Sequence, residues 1–198
     1  MNGSIVFIDL ETTGLDPEYH EIIDIAIVIT DNKLDEITSF RRLVMPKYPD
    51  RISKRAQEIN GFDEKEWKCN KAINQSTLAN ELTDFFSYYA LNKIYLVPAG
   101  HRVQFDTGFL EMLTDRFNLN PFPIDNRRFI DSLVVEHIVT ISKAIKYSDA
   151  SSRYLSPSSF DKLAKSYNIE RAGKHDAETD IRDTIKIIKQ QILMLASS

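Results

Sequence analysis

The chain has 198 residues, enough for one well-buried core and few for two, so we predict a single domain over residues 1–198. Hydrophobic residues make up 42% and charged residues 27%, which excludes a disordered chain, and no apolar run approaches the roughly 20 residues of a membrane helix. The net charge of −4 argues against a protein that coats duplex nucleic acid, and a single cysteine with an N-terminus unlike a secretory signal predicts a cytoplasmic protein without a membrane partner.

Three strands are predicted within the first 45 residues. A β-branched run over 4–10 is typical of a strand buried on both faces, and a second run follows over 22–29 after a turn at Gly14 and Pro17. A short connection leads to a third strand over 36–45, and this spacing predicts an antiparallel meander.

Helices dominate the rest of the chain. The predicted elements are helices over 51–59 and 77–91, a strand over 94–97, a helix over 105–117, a short strand or turn over 129–131, and helices over 132–145, 158–166 and 176–195. The Ser-rich segment 148–159 predicts a loop. Strands first and helices interleaved later predict an α/β fold, with a mixed five-stranded sheet flanked by helices.

Two carboxylates, Asp9 and Glu11, end the first predicted strand. Residues i and i+2 of a strand project from the same face, so both acids should point into one cleft. Such a pair repels unless a cation lies between them, and oxygen ligands at this spacing suit Mg²⁺ or Mn²⁺. Acid-x-acid triplets also arise by chance in a chain with 29 acids, so the pattern alone does not separate a metal site from a solvated pair.

Asp106 shares a helical stripe with Leu110, Leu113 and Phe117, which predicts that its side chain faces the core. The alternative interpretation is structural. Near the start of its helix, a carboxylate is stabilised by the helix dipole and the free amides without any catalytic role.

His175 and Asp180 flank the start of the last predicted helix. Five residues turn through about 500° of an α-helix, so His175 is expected in the preceding loop, with Asp176 as the N-cap. A lone loop histidine is usually a surface residue. Next to an inward-facing carboxylate it is also the arrangement of a general base that swings over a site.

Three segments in series resemble the DEDD family of 3′→5′ exonucleases, in its histidine-containing branch. Residues 7–17, FIDLETTGLDP, are similar to the first motif of that family, residues 100–110, GHRVQFDTGFL, to the second, and residues 175–180, HDAETD, to the third. The motifs stand in the family's order and span most of the chain, so the series is far more specific than any one motif.

The resemblance implies an RNase H-like fold and phosphodiester hydrolysis with two Mg²⁺ or Mn²⁺ ions. It implies metal ligation by Asp9, Glu11, Asp106 and Asp180, with His175 as the general base. The substrate contacts that it implies come from Thr12, Thr13, Leu15, His101, Arg102 and Phe105. The expected substrate is the 3′ end of a single-stranded nucleic acid, DNA favoured, and a polymerase partner is compatible with the resemblance but not indicated.

The chain departs from the family pattern in two places. The second motif commonly has Asn after its His, where this chain has Arg102, a residue type that contacts phosphates. Proofreading members often carry Glu and His where this chain has Arg55 and Asn60, which weakens an assignment as a proofreading subunit.

Other interpretations stay open at this point. The chain can be an exoribonuclease for short or structured RNA, a metal-dependent phosphatase or endonuclease, or a non-catalytic RNase H-like binding module. A binding module would be expected to lack one of the acids, and none is missing. Among the basic clusters, Arg171 and Lys174 are the best functional candidates because they adjoin His175, whereas clusters such as Arg41 and Arg42 are usually solvated faces.

Overall fold

The computed structural model describes residues 4–147, 159–170 and 176–197. The strands are β1 (Ile5–Thr12), β2 (Ile22–Thr30), β3 (Glu36–Met45), β4 (Ile73–Asn74), β5 (Val97–Gly100) and β6 (Ile130–Asp131). The helices are α1 (Lys54–Asn60), α2 (Glu64–Cys69), α3 (Gln75–Leu91), α4 (Val103–Arg116), α5 (Ser132–Tyr147), α6 (Phe160–Ser166) and α7 (Ala177–Ala196).

The strands form one mixed sheet in the order β4-β3-β2-β1-β5-β6. The pairs β1–β2 and β2–β3 are antiparallel, whereas β5 runs parallel to β1 and to β6. The predicted meander and the α/β class are therefore confirmed. The predicted number of five strands is wrong by one, because β4 has only two residues and so shows no alternation in the sequence.

Strand β5 begins later than predicted, at Val97 instead of Ile94. Ile94 instead belongs to the turn that follows α3, since its amide donates to the Tyr89 carbonyl at 2.9 Å. The strand tolerates Pro98, although proline lacks an amide hydrogen. The Val97 amide donates towards β1, to Ser4 O at 3.2 Å. The ring nitrogen of Pro98, one residue later, therefore points away from the hydrogen bonds between β5 and β1.

The predicted helices are present, with ends that differ by up to three residues, and α2 was not predicted. This six-residue helix is capped by Asp63, whose side chain accepts from the Glu66 amide, and it buries only Trp67. One buried residue leaves no periodicity to detect. The predicted loop over 148–159 lies outside the described residues except for Ser159. None of the helices in the described part of the chain is long and apolar enough to cross a membrane.

The two faces of the sheet have separate cores, and β1 contributes alternate residues to each. Val6, Ile8 and Leu10 pack on the side of α3 and α4, whereas Phe7 packs with Ala177 and other residues of α7. Alternation along β1 therefore puts Asp9 and Glu11 on the α7 side, at the end of the strand.

A candidate metal centre and its adjoining cleft

Three acids from the two ends of the chain converge beside β1. One carboxylate oxygen each from Asp9, Glu11 and Asp180 lies within 4.8 Å of the other two. Asp9 and Glu11 share a face of β1, and Asp180 stands in the first turn of α7, which packs on that face. The two β1 acids therefore project from the same face of the strand, as predicted, and the helix dipole favours the third carboxylate where it stands.

Asp106 reaches the same cluster from α4. Its buried side chain accepts a hydrogen bond from the Leu10 amide at 3.0 Å, on the backbone between Asp9 and Glu11. The start of α4 is held in turn by Asp131, which accepts from the Val103 amide at 3.2 Å. The contact with Leu10, 96 residues away, shows that Asp106 does more than stabilise its own helix.

Burial and mutual repulsion disfavour the charged forms of these acids. Burial raises the pKa of Asp9 well above its ordinary value of 3.8, and the carboxylates of Asp106, Asp180 and Glu11 raise it further. Burial also raises the pKa of Asp106, although the Leu10 hydrogen bond partly offsets this effect. The cluster is therefore a site of concentrated negative charge.

A divalent cation fits this arrangement. The donors are all carboxylate oxygens, which hard cations such as Mg²⁺ and Mn²⁺ prefer, and their spacing lets one ion contact three side chains. A cation would also remove the repulsion that raises the pKa values of Asp9 and Asp106.

A second charged group, not predicted from the sequence, borders the cluster. Asp24 on β2 stands opposite Glu11 in the strand register and is buried. Its Oδ2 accepts from the Ala177 amide at 3.3 Å and lies 3.5 Å from Arg41 Nη2. Burial raises the pKa of Asp24, and Arg41 counteracts this rise. No local pattern in the sequence indicates the pair, because it depends on the return of α7 to the sheet.

An apolar cleft of about 220 Å³ opens next to Glu11. It lies between the turn after β1, the helix α1 and the start of α4. The residues that line it include Glu11, Thr12, Leu15, Arg55, Ile59 and Phe105. Leu15 is 83% exposed at the rim, although it is a large apolar residue. A flat apolar group can therefore enter the cleft while a charged group attached to it remains beside the acids.

The turn after β1 packs closely around Gly14. A Cβ atom on Gly14 would stand 2.3 Å from the His20 ring, so a larger residue there would require that ring to move. Thr13 is buried, its amide donates to Glu21 O at 2.9 Å, and its carbonyl accepts from the Ser53 amide at 2.8 Å. The Asn60 side chain donates to the Thr12 carbonyl at 3.0 Å. Asn60, which stands where proofreading members often carry His, is therefore part of the wall of the cleft.

The remaining predicted site residues lie around the second motif and before α7. His101 is half-buried, and its Nδ1 is 2.8 Å from Ser132 Oγ. Arg102 is exposed, with a left-handed backbone at φ 61°. Neither lines the apolar cleft. His175, Arg171 and Lys174 lie outside the described residues, whereas Asp176 caps α7 as predicted, accepting from the Thr179 amide at 3.1 Å.

A mixed sheet flanked by helices, with a carboxylate cluster at the end of an interior strand, defines an RNase H-like nuclease fold. A family model described as exonuclease, of the RNase T type, matches residues 6–188. The chain belongs to this metal-dependent exonuclease family, and the resemblance to DEDD-type 3′→5′ exonucleases is confirmed.

The relatives of the chain include enzymes of several kinds. The chain is 27% identical over 190 residues to the DNA polymerase III epsilon subunit of Aquifex aeolicus, covering 94% of this chain and 79% of that protein. It is 57% identical over 37 residues to the oligoribonuclease of Buchnera aphidicola, which covers 19% of this chain and 20% of the relative.

A crystal structure of E. coli exonuclease I in complex with a dT13 oligonucleotide has a similar fold, with a TM-score of 0.73 and 20% identity. The match covers 95% of this chain and 40% of the exonuclease I chain, so this protein spans about two fifths of that structure.

Proposed function

We propose that the protein removes nucleotides one at a time from the 3′ end of single-stranded nucleic acid, with DNA favoured, and releases nucleoside monophosphates. The observation that carries this proposal is the convergence of Asp9, Glu11 and Asp180 beside a mainly apolar cleft of about 220 Å³, with Asp106 hydrogen-bonded to the same strand. The cleft supports binding of one terminal nucleotide with its phosphate turned towards the acids.

The four acids are proposed to hold two Mg²⁺ or Mn²⁺ ions. When bound, such ions neutralise the scissile phosphate and make the attacking water more acidic. Four carboxylates carry the charge needed to offset two divalent cations. Asp9 is repelled by all three of the other acids, because Asp106, Asp180 and Glu11 each raise its pKa.

His175 is proposed to accept the proton of the attacking water at a ring nitrogen. The proposal rests on the sequence match of the third motif and on its place directly before Asp176, the N-cap of α7. An imidazole with an ordinary pKa of about 6.5 can act as a base at neutral pH.

Substrate contacts are proposed for both sides of the terminal nucleotide. Leu15, Phe105 and Thr12 line the cleft and are suited to pack against the base. Thr13 is buried and supports the turn, because its carbonyl accepts from the Ser53 amide. His101 and Arg102 stand at the start of α4, where they can approach the phosphate backbone.

Single-stranded DNA as substrate is supported by the similarity to the polymerase III epsilon subunit and by the fold shared with exonuclease I, whose structure holds an oligothymidylate. The short stretch of 57% identity to an oligoribonuclease supports short RNA as the second candidate. The epsilon similarity makes a polymerase a candidate partner. A cytoplasmic location stays a prediction from composition.

The test compares matched DNA and RNA oligonucleotides, 5′-labelled, with free or blocked 3′ ends, in Mg²⁺ and in Mn²⁺. We expect stepwise shortening of the DNA from its free 3′ end, slower hydrolysis of the RNA, and no cleavage of the blocked strand. Faster shortening of the RNA would favour the second candidate, and internal cuts in the blocked strand would refute the exonuclease assignment for this substrate.

Two variants test the assigned roles. Asp9→Asn should abolish hydrolysis, whereas Asp84→Asn, an exposed aspartate on α3 on the opposite side of the sheet, should leave it unchanged. His175→Ala should lower kcat by roughly 10²–10⁴ and flatten the acidic limb of the pH–rate profile. If His175→Ala retains the acidic limb of the pH–rate profile, His175 is not the general base.

A further inference from the structure

A second cleft, which we name the Tyr48 cleft, lies on the other side of the turn after β1. It has a volume of about 280 Å³, and its lining includes Glu18, Glu21, Lys47, Tyr48, Arg51 and Arg116. Unlike the apolar cleft beside Glu11, it combines cations with an exposed aromatic ring. The proposed reaction uses none of these residues.

Aromatic rings and cations are layered at the mouth of the Tyr48 cleft. The Arg51 guanidinium carbon lies 3.9 Å from the centre of the Tyr48 ring and 4.6 Å from the centre of the Tyr19 ring. The Lys47 amine lies 5.1 Å from the Tyr48 ring centre. Tyr19 is 49% exposed and Tyr48 37%, so both rings remain accessible to a further stacking group.

The cations of this cleft lack carboxylate partners in the described part of the chain. The arginines that do pair with a described carboxylate are Arg41, Arg42, Arg55, Arg127, Arg128 and Arg182. Arg51 instead donates to the carbonyl of Tyr19 at 3.4 Å, and Arg116 to the carbonyls of Pro17 and Glu18 at 2.7 and 2.8 Å. Neither guanidinium is therefore committed to a described carboxylate, and the three cations of the cleft outnumber its two acids, Glu18 and Glu21.

The acids near these cations do not neutralise them. Glu21 is buried, and its carboxylate accepts from the Tyr48 amide at 2.9 Å, so it fixes the backbone of the cleft. Glu18 is exposed and forms no ion pair with a described residue. Accessible rings beside cations that have no described carboxylate partner are the combination that proteins use to bind single-stranded nucleic acid.

The Tyr48 cleft adjoins the proposed catalytic cleft through two elements. Phe105 of the first cleft and Arg116 of the second stand eleven residues apart on α4, roughly 16 Å along its axis. The segment from Arg51 to Ser53 also spans both clefts, and its Ser53 amide donates to the Thr13 carbonyl at 2.8 Å.

We infer that the Tyr48 cleft binds the part of a single-stranded substrate that lies upstream of the terminal nucleotide. Tyr19 and Tyr48 stack on its bases, and Lys47 and Arg51 contact its phosphates. Arg116 holds the intervening turn in place through Pro17 and Glu18. This inference rests on the proposed function, because it assumes that the terminal nucleotide occupies the cleft beside Glu11.

The experiment measures kcat/KM for oligothymidylates from two to twelve nucleotides with the wild-type chain and three variants, in Mn²⁺ at several salt concentrations. For the wild type, kcat/KM should rise with length beyond the dinucleotide. The double variant Lys47→Gln/Arg51→Gln should lose about tenfold or more on the 12-mer through KM, and less than twofold on the dinucleotide. The slope of log KM against log salt should fall by about 0.7 for each phosphate that the variant no longer binds.

Two further variants complete the set. Tyr48→Ala removes the stacking ring and should lower kcat/KM on the 12-mer but not on the dinucleotide. Lys33→Gln removes a charge in the turn between β2 and β3, at the opposite end of β1 from Glu11, and should leave the length dependence unchanged.

The outcomes separate this inference from the proposed function. If the wild type hydrolyses no oligonucleotide, the proposed function fails. If the wild type hydrolyses oligonucleotides but the double variant keeps the wild-type length dependence, the Tyr48 cleft is not an upstream binding site. The same conclusion follows if the double variant loses as much activity on the dinucleotide as on the 12-mer.

Photo-crosslinking is an independent measurement. The wild type is crosslinked to a hydrolysis-resistant strand with 5-iodouracil two to four positions from its 3′ end. Adducts on Tyr19 or Tyr48 are expected, and adducts elsewhere only would overturn the inference.

Discussion

Arg41 and Asp24 form an ion pair beside the acid cluster, with Arg41 Nη2 3.5 Å from Asp24 Oδ2. Arg41 also contacts Glu178 at 3.0 Å and Asp176 at 3.6 Å, both at the start of α7. Asp24 itself accepts from the Ala177 amide, while its buried Oδ1 finds no hydrogen-bond partner in the described part of the chain. The pair therefore links the β2–β3 hairpin to the first turn of α7, which carries Asp180.

We expect Arg41→Ala to lower both stability and kcat. It leaves the buried Asp24 carboxylate uncompensated, at a cost of about 1–2 kcal/mol, below the cost for fully buried pairs because Arg41 is 42% exposed. The start of α7 would also lose its ion pairs with Arg41, so Asp180 should shift and kcat should fall by roughly tenfold, as expected when a metal ligand is misplaced. Urea unfolding and oligonucleotide hydrolysis measure the two effects.

The neighbouring Arg42 provides the matched control. It pairs with Glu81 at 2.7 Å and forms no ion pair or hydrogen bond with the described residues of α7. Arg42→Ala should therefore change the unfolding free energy by less than about 1 kcal/mol and leave kcat intact. Equal losses in the two variants would show that Arg41 has no special role in positioning α7.

The acid cluster should make the metal-free protein less stable as the pH rises. The pKa values of Asp9 and Asp106 are higher in the folded than in the unfolded chain, so the folded state binds more protons above pH 3.8. The stabilising effect of these protons is present at low pH and is lost as the pH rises through the folded pKa values. Thermal unfolding in EDTA from pH 4.5 to 8.5 should show this decline.

Asp9→Asn should weaken that decline, because it removes the carboxylate on which the other acids act. At pH 8 the metal-free variant should melt a few degrees above the wild type, at roughly 2–4 °C for each kcal/mol of relieved repulsion. Saturating Mn²⁺ should raise the melting temperature of the wild type more than that of the variant. A wild-type melting temperature that is independent of pH in EDTA would contradict the described electrostatics.

Leu15 is 83% exposed at the rim of the apolar cleft, where the proposed substrate contact predicts a role in binding. We expect Leu15→Ala to raise KM for oligonucleotides several-fold while the free energy of unfolding changes by less than about 0.5 kcal/mol, as is usual for surface substitutions. Leu91 at the end of α3 is also 83% exposed and lies outside the cleft, so Leu91→Ala is the matched control. An unchanged KM in Leu15→Ala would leave the exposure of Leu15 without a functional reason.

Much of the fold could be predicted because its signals are local. The β-branched runs of β1 and β2 and the periodicity of α7 follow from neighbouring residues, and so does the shared face of Asp9 and Glu11. Short elements such as β4 and α2 contain too few residues to form a pattern. Pro98 also concealed the C-terminal part of β5, since a proline is acceptable in that strand because its nitrogen points away from the hydrogen bonds to β1.

The candidate site was only partly predictable, because several of its contacts join residues that are far apart in the sequence. The four acids could be named from motifs, but the link between Asp24 and Ala177 joins residues 153 positions apart. In the sequence, Asp24 is an aspartate within an apolar strand and Arg41 is one of two adjacent arginines. Neither local pattern predicts that the two side chains pair. Such contacts depend on the strand register and on where α7 returns to the sheet, which are properties of the whole fold.

The backbone conformation of Arg102 predicts that one substitution there raises stability and weakens substrate binding. Arg102 precedes α4 with φ 61° and ψ 39°, and its side chain makes no capping hydrogen bond. Asparagine adopts this left-handed conformation more readily than arginine does, and the exonuclease family commonly has asparagine there. We therefore expect Arg102→Asn to increase the free energy of unfolding by about 0.5–1 kcal/mol.

The same substitution removes the guanidinium that is proposed to contact the substrate. We expect kcat/KM for oligonucleotides to fall several-fold, mainly through KM, while stability rises. Gln104→Asn is the control, because Gln104 is exposed within α4, where asparagine is a poorer helix former and should slightly destabilise the protein. Loss of stability in Arg102→Asn would mean that contacts of the arginine outweigh its backbone strain. An unchanged KM would remove Arg102 from the substrate site and leave its strained conformation without a role in catalysis.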